Sequence, residues 1–249
     1  MNQRQRKRLS LQIFTGVTLT WLILCYLTWI GNGCKAYMPF ISDFDLYQPG
    51  DFIFSFGTFL SSITVIWVMF ELQMHNREEL IQDDAKIIWH LLNHCAIVPG
   101  IIAAHSCYLV GQTPWNVDGY MHGSYAFDIF YKGIYWCVLV NIVTIRIHWN
   151  SSSLRTILTA RLVPSLIAII GLWQMIAAQS KVWTEGFDWD TWNSSSHNML
   201  EFCTSSVYPI LNYAAMWEYF LVLGIVFTVF SFMLDLRPVD NNELLSEEE

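Results

Sequence analysis

The sequence predicts an all-α polytopic membrane protein, a bundle of six transmembrane helices with both termini cytoplasmic. Composition, span length and charge placement each point there. The 249-residue chain is 54% hydrophobic and only 14% charged, which suits burial in lipid as well as in protein. Six apolar runs are each long enough, at 1.5 Å per residue, to cross a hydrocarbon core of about 30 Å. Lysine and arginine gather in alternate connections, as the positive-inside bias requires.

The expected spans are residues 11–30, 53–74, 87–111, 123–146, 158–178 and 211–235. They form one transmembrane domain over 11–236, between a basic cytoplasmic N-terminus, 1–10, and an acidic cytoplasmic tail, 237–249. The first run follows Arg4, Arg6, Lys7 and Arg8. It is longer than an ordinary signal-peptide core and lacks a small-x-small cleavage site, so it reads as a signal anchor. Six spans put both termini on one side. Ten basic residues, Arg161 among them, then fall on that side; Lys35 and Lys181 fall on the other and Lys132 within a helix. This makes the loops 31–52, 112–122 and 179–210 lumenal or extracellular. Trp29, Trp115, Trp183, Trp189 and Trp192 mark the outer boundary and Trp89 and Trp149 the inner one. The acidic aromatic segment 183–192 reads first as part of that interfacial belt and second as a binding surface.

Topology sorts the modification candidates. Asn193-Ser194-Ser195 is a glycosylation sequon in an outer loop, whereas Asn150-Ser151-Ser152 faces the cytoplasm and is expected to stay bare. Cys34 and Cys203 share the oxidising side and are the disulfide candidates; the other four cysteines lie within helices.

Between the first two spans, Met38-Pro39-Phe40-Ile41-Ser42-Asp43 interrupts the apolar pattern. Proline fixes its own φ and pushes its predecessor out of helical geometry, while Ser42 and Asp43 can bond nearby backbone. An ordered loop is expected. Inside the spans, His105, Asp128, Lys132 and Glu218 are the charged or titratable residues that need a partner or a use. Asp128 and Lys132 are four apart on one helix face and read as a self-neutralising pair before a transport device. His105, Asp128 and Glu218 each lie roughly 10 Å or less from the outer helix ends. They are expected to form a polar vestibule beneath the loop. Asn93, His94 and Asn141 are expected to make interhelical hydrogen bonds.

Catalytic signatures, phosphate loops and dinucleotide fingerprints are missing, so the chain reads as non-enzymatic, with no cofactor and no metal centre. His122 beside Asp118 and Asp128 has acid–base character but no nucleophile. No extended basic face suits a nucleic acid. In the tail, Asp240 stands four residues before Leu244-Leu245, the pattern of an acidic dileucine signal read by a sorting adaptor.

Four stretches occur in order: Met38 to Asp43 with Pro49 and Gly57; Leu91-Leu92-Asn93 through Gly100 to Cys107; His122-Gly123 with Phe130 and Gly133; and Glu218-Tyr219 through Phe227 and Phe230 to Asp235. Together they resemble the damage-regulated autophagy modulator (DRAM) family and its relatives, the GPI-anchor lipid remodelling factors and the membrane regulators of phosphatidylinositol 4-kinase. The chain departs from the usual pattern at Phe44-Asp45 and Pro49-Gly50-Asp51. The resemblance implies a six-span protein of lysosomal or endosomal membranes, acting on autophagy through protein partners or membrane lipid. A role in GPI-anchor remodelling or phosphoinositide regulation at the Golgi or plasma membrane is the alternative. A small transporter using the vestibule is a further one. Within the family loop, Pro39, Ser42 and Asp43 are the residues of interest.

Overall fold

The computed structural model describes residues 3–37, 39–151, 153–186, 188–204 and 209–235. Its long helices are α1 (Gln3–Gly31), α2 (Gly50–Gln82), α3 (Ile87–Val110), α4 (Gly119–Ile147), α5 (Leu154–Thr184) and α8 (Pro209–Ser231). Two short helices, α6 (Trp189–Ser195) and α7 (Met199–Thr204), lie between α5 and α8, and a 3-10 helix, Ile41–Leu46, precedes α2. Among the described residues, six helices are long and apolar enough to cross a membrane. This is an integral membrane fold of the expected kind. One end of the bundle, the lid end, carries the 3-10 helix with α6 and α7. The opposite, terminal end carries Gln3 and Asp235.

Two elements run longer than the apolar pattern indicates. The basic residues expected to precede the first helix form its opening turns instead, and α2 continues to Gln82 rather than stopping near residue 74. Opposite charges hold the two extensions together. Arg6 pairs with Glu71 at 2.6 Å and Lys7 with Glu78 at 2.9 Å, while the Trp67 indole N–H donates to Glu71 at 3.1 Å. Lys7 is buried, so its charge is neutralised inside the protein rather than in a solvated tail.

Between the spans, small polar groups do the joining expected of membrane helices. Thr18 meets Ser61 at 3.0 Å across α1 and α2, and the Ser62 hydroxyl donates to the Ala104 carbonyl at 2.7 Å across α2 and α3. Asn76 donates to Asn93 at 3.3 Å, and Asn93 donates to the Gln73 carbonyl at 3.0 Å. Asn141 of α4 donates to Ser165 of α5 at 3.1 Å, and Ser165 meets Thr228 of α8 at 3.0 Å. His94 behaves differently: it is exposed and turns back to the His90 carbonyl of its own helix.

The closest helix pair is α5 with α8, where backbones touch at glycine. A Cβ on Gly224 would stand 2.6 Å from the Pro164 carbonyl oxygen and 2.7 Å from the Ala168 nitrogen. These neighbours are backbone and do not swing aside. Gly224→Val therefore separates the two helices and destabilises the protein by about 3 kcal/mol or more. Thermal unfolding of the purified variant in detergent measures this, and an unchanged midpoint would show that the helices do not pack this tightly.

Candidate functional site

The segment between α1 and α2 is a lid built from its own hydrogen bonds. The Asp43 amide donates to the Phe40 carbonyl at 3.0 Å, and the Asp43 carboxylate accepts the Phe40 amide at 2.9 Å. Its second oxygen accepts the Trp115 indole N–H at 3.2 Å, tying the 3-10 helix to the loop before α4. Pro39 is buried beneath the turn and Ser42 is half-buried. At Gly50 a Cβ would lie 2.6 Å from the Phe44 carbonyl oxygen, so α2 can start hard against the lid only with glycine there.

The third loop folds over the lid. Cys34 and Cys203 are joined by a disulfide with a Cα–Cα distance of 5.0 Å, and the Lys35 amide donates to the Cys203 carbonyl at 3.2 Å. Trp115 stacks on Trp192 at 5.7 Å between centroids, and Phe202 meets Trp192 edge-on at 5.3 Å. The Tyr47 hydroxyl donates to the Ser196 carbonyl. Trp115 and Trp192 were expected at the membrane boundary; with Phe202 they also form the lid's packing. Asn193 is half-buried within α6, while Asn150 is exposed at the other end.

Beneath the lid, Glu218 of α8 accepts the Ile41 amide at 2.7 Å. This one bond latches the 3-10 helix to the last span. Its other carboxylate oxygen has no hydrogen-bond partner among the described residues. His122 at the start of α4 brings Nδ1 to 2.6 Å from the Thr113 carbonyl. A carbonyl only accepts, so Nδ1 carries the proton and Nε2 is the ring nitrogen left without a protein partner.

Glu218 and His122 sit where two spaces meet. Outside is an open cleft of about 1000 Å³, whose walls include Asp43, Asp118, Asp128, Trp115, Trp183 and Trp192. Inside is an apolar slot of about 150 Å³ between the helices, reaching down to Phe14, Met69, Trp136 and Val229. Ser42, His122, Ala126, Phe130 and Glu218 line both. They form a polar neck between the outer cleft and the membrane interior.

The structure groups the expected vestibule residues differently. Asp128 and Glu218 do line one cleft. His105 does not join them, because it sits on the exposed face of α3 while Ala103, Ala104 and Cys107 face the slot. Lys132 is not in the cleft wall, and among the described residues it makes no ion pair with Asp128. The i,i+4 spacing allowed that contact without enforcing it. His122, noted in the sequence beside Asp118 and Asp128 and beside Gly123 in the family pattern, takes the place given to His105. Among the described residues no group of three metal-ligating side chains occurs. The sorting residues Asp240, Leu244 and Leu245 lie outside the described residues.

Burial governs the lid acids. It raises Asp43 to about 7, against the bonds from Phe40 and Trp115 that favour the carboxylate. Burial, then the charge of Asp51, raises Asp45 to about 8. An acid raised in the folded state stabilises that state when protonated. This contribution is complete below the ordinary carboxyl value of about 4 and is lost as pH rises through 7 to 8. The lid end thus melts at higher temperature at pH 5 than at pH 8, followed by tryptophan fluorescence, and Asp43→Asn flattens the profile. A profile rising with pH would contradict it.

Residues 10–239 match the family model described as the Frag1/DRAM/Sfk1/Cwh43P N-terminal domain. The chain belongs to this family. The matched range takes in the lid, the neck and all six long helices apart from the opening turns of α1. No curated protein and no solved structure shows a significant match to the chain.

Proposed function

We propose that this family member is a lipid-binding protein of the endolysosomal membrane that modulates autophagy without catalysing a reaction of its own. The observation that carries the lipid reading is the continuity of cleft, neck and slot: a polar opening at one membrane face leads into an apolar space between spans. A water-soluble ligand gains nothing from such a slot, whereas a chain moved from water or from the interface does. The Glu218 bond to Ile41 lets occupancy of the neck be felt by the lid. Protein partners then read the lid and the third loop.

Placement in an acidic compartment is supported by the protonated preference of Asp43 and Asp45. The positive-inside count puts the lid in the lumen, and Leu244-Leu245 gives a cytoplasmic adaptor its signal. The GPI-remodelling and phosphoinositide alternative is less well served, because among the described residues no lysine or arginine lines the cleft to meet phosphate.

The test is rescue in cells lacking the protein. Wild type restores autophagic flux from lysosomal membranes. Ala126→Phe, which fills the neck, reaches the same membranes without restoring it. Normal flux in the null cells, with defective display of GPI-anchored proteins at the surface, would replace this reading by the alternative.

A further inference from the structure

Resting on the lipid-binding reading, we infer that the slot and neck take a single-chain amphiphile with a cationic amine head, a long-chain amine rather than a phospholipid or a fatty acid. The slot sets the chain. Its wall runs on α8 from Glu218 to Val229, about 16 Å at 1.5 Å per residue. That is about half of a ~30 Å hydrocarbon core, the depth to which one lipid tail reaches. A void of about 150 Å³ spread over this length is narrow. One linear chain can thread it, with the unbranched Met69 yielding; two chains cannot lie side by side.

The neck and cleft set the head. Glu218 is 7% exposed and His122 5%, and each presents one polar atom without a protein partner at the mouth of the slot. A carboxylate oxygen left in that state at the mouth of an apolar slot calls for a donor, best a charged one. Asp43, Asp118 and Asp128 line the same cleft, and among the described residues no lysine or arginine lines it. An anionic head would meet Glu218, Asp118 and Asp128 with no cationic side chain among the described lining residues to offset them, Asp43 being already bonded by Phe40 and Trp115. A cation meets those acids together with the rings of Trp115, Tyr120, Trp183 and Trp192, which line the same wall and suit it by their electron-rich faces. The amine is thus placed on Glu218, its tail directed down the slot. There it competes for the carboxylate that latches Ile41, so binding loosens the lid.

Three photoactivatable long-chain probes, identical except for the head, test this on the full chain in nanodiscs: the free amine, its N-acetyl derivative and the fatty acid. The amine is expected to label slot residues of α4 and α8 about tenfold more than either of the others. Ala126→Phe abolishes that labelling. Glu218→Gln reduces it about tenfold. Because that change also weakens the lid, Asp128→Asn, a residue that among the described residues makes no hydrogen bond to the lid, serves as the second variant. It is expected to lower amine labelling and leave N-acetyl labelling unchanged. Equal labelling by the amine and the N-acetyl probe, or stronger labelling by the fatty acid, would overturn the amine assignment while leaving a lipid site in place. Absence of slot labelling by all three probes would overturn both.

Discussion

An Asp235→Ala protein is expected to lose about 3–5 kcal/mol of stability, the magnitude found when one partner of a buried ion pair is removed. Arg161 is completely buried in α5. It donates to both Asp235 oxygens at 2.9 Å, to the Ser231 hydroxyl at 3.2 Å and to the Thr144 hydroxyl, and its guanidinium lies 3.7 Å over the Phe232 ring. His148 approaches the same carboxylate at 3.8 Å. Through this arginine, α4, α5 and α8 share one clasp at the terminal end. Without Asp235 a cation is left in a dry site with hydroxyl partners only. Adding Arg161→Met removes the stranded charge, so the double variant recovers much of the loss. Thermal unfolding and expression level report both effects. A single variant as stable as wild type would show that the pair is hydrated and not a clasp.

Cys203→Ser is expected to cost about 3–5 kcal/mol, since the bridge to Cys34 closes a sequence separation of 169. The loss falls at the lid end. The Trp115, Trp192 and Phe202 rings pack there, and the Tyr47 to Ser196 bond crosses the same contact. In wild type, reductant should lower the melting of the tryptophan signal and shift mobility on a non-reducing gel; in Cys203→Ser it should do neither. Identical behaviour of the two proteins would mean that the thiols are not bridged.

The six spans were legible because a lipid-facing helix must be apolar along its whole length, and nothing else in the chain is. The lid's position was legible from Pro39 and from Ser42-Asp43, which break helical geometry. Its form was not: the 3-10 turn depends on Asp43 being bonded by both Phe40 and Trp115, and Trp115 is 72 residues away. Arg161 shows the limit most clearly. Counted by sequence position it belongs to a basic cytoplasmic boundary, yet it points inward because Asp235, just past the end of α8, supplies its counter-charge. His105 and Lys132 erred the other way. Depth along a helix can be counted from sequence, whereas facing depends on which neighbours pack, and small residues such as Ala103, Ala104 and Gly133 decide that. Glu218 was found because an acid in an apolar run has few innocent explanations. Its partner, a backbone amide in the lid, leaves no mark in sequence.

The central claim is that the lid and the neck guard a single-chain site between the spans. A cryo-electron map of the full chain in nanodiscs, supplied with a long-chain amine, tests it most directly. The expected result is one unbranched density running from Glu218 and His122 down to Val229, with the Ile41 to Glu218 bond lengthened or broken. A slot closed by side-chain density, with the amine held elsewhere and that bond intact, would contradict the account.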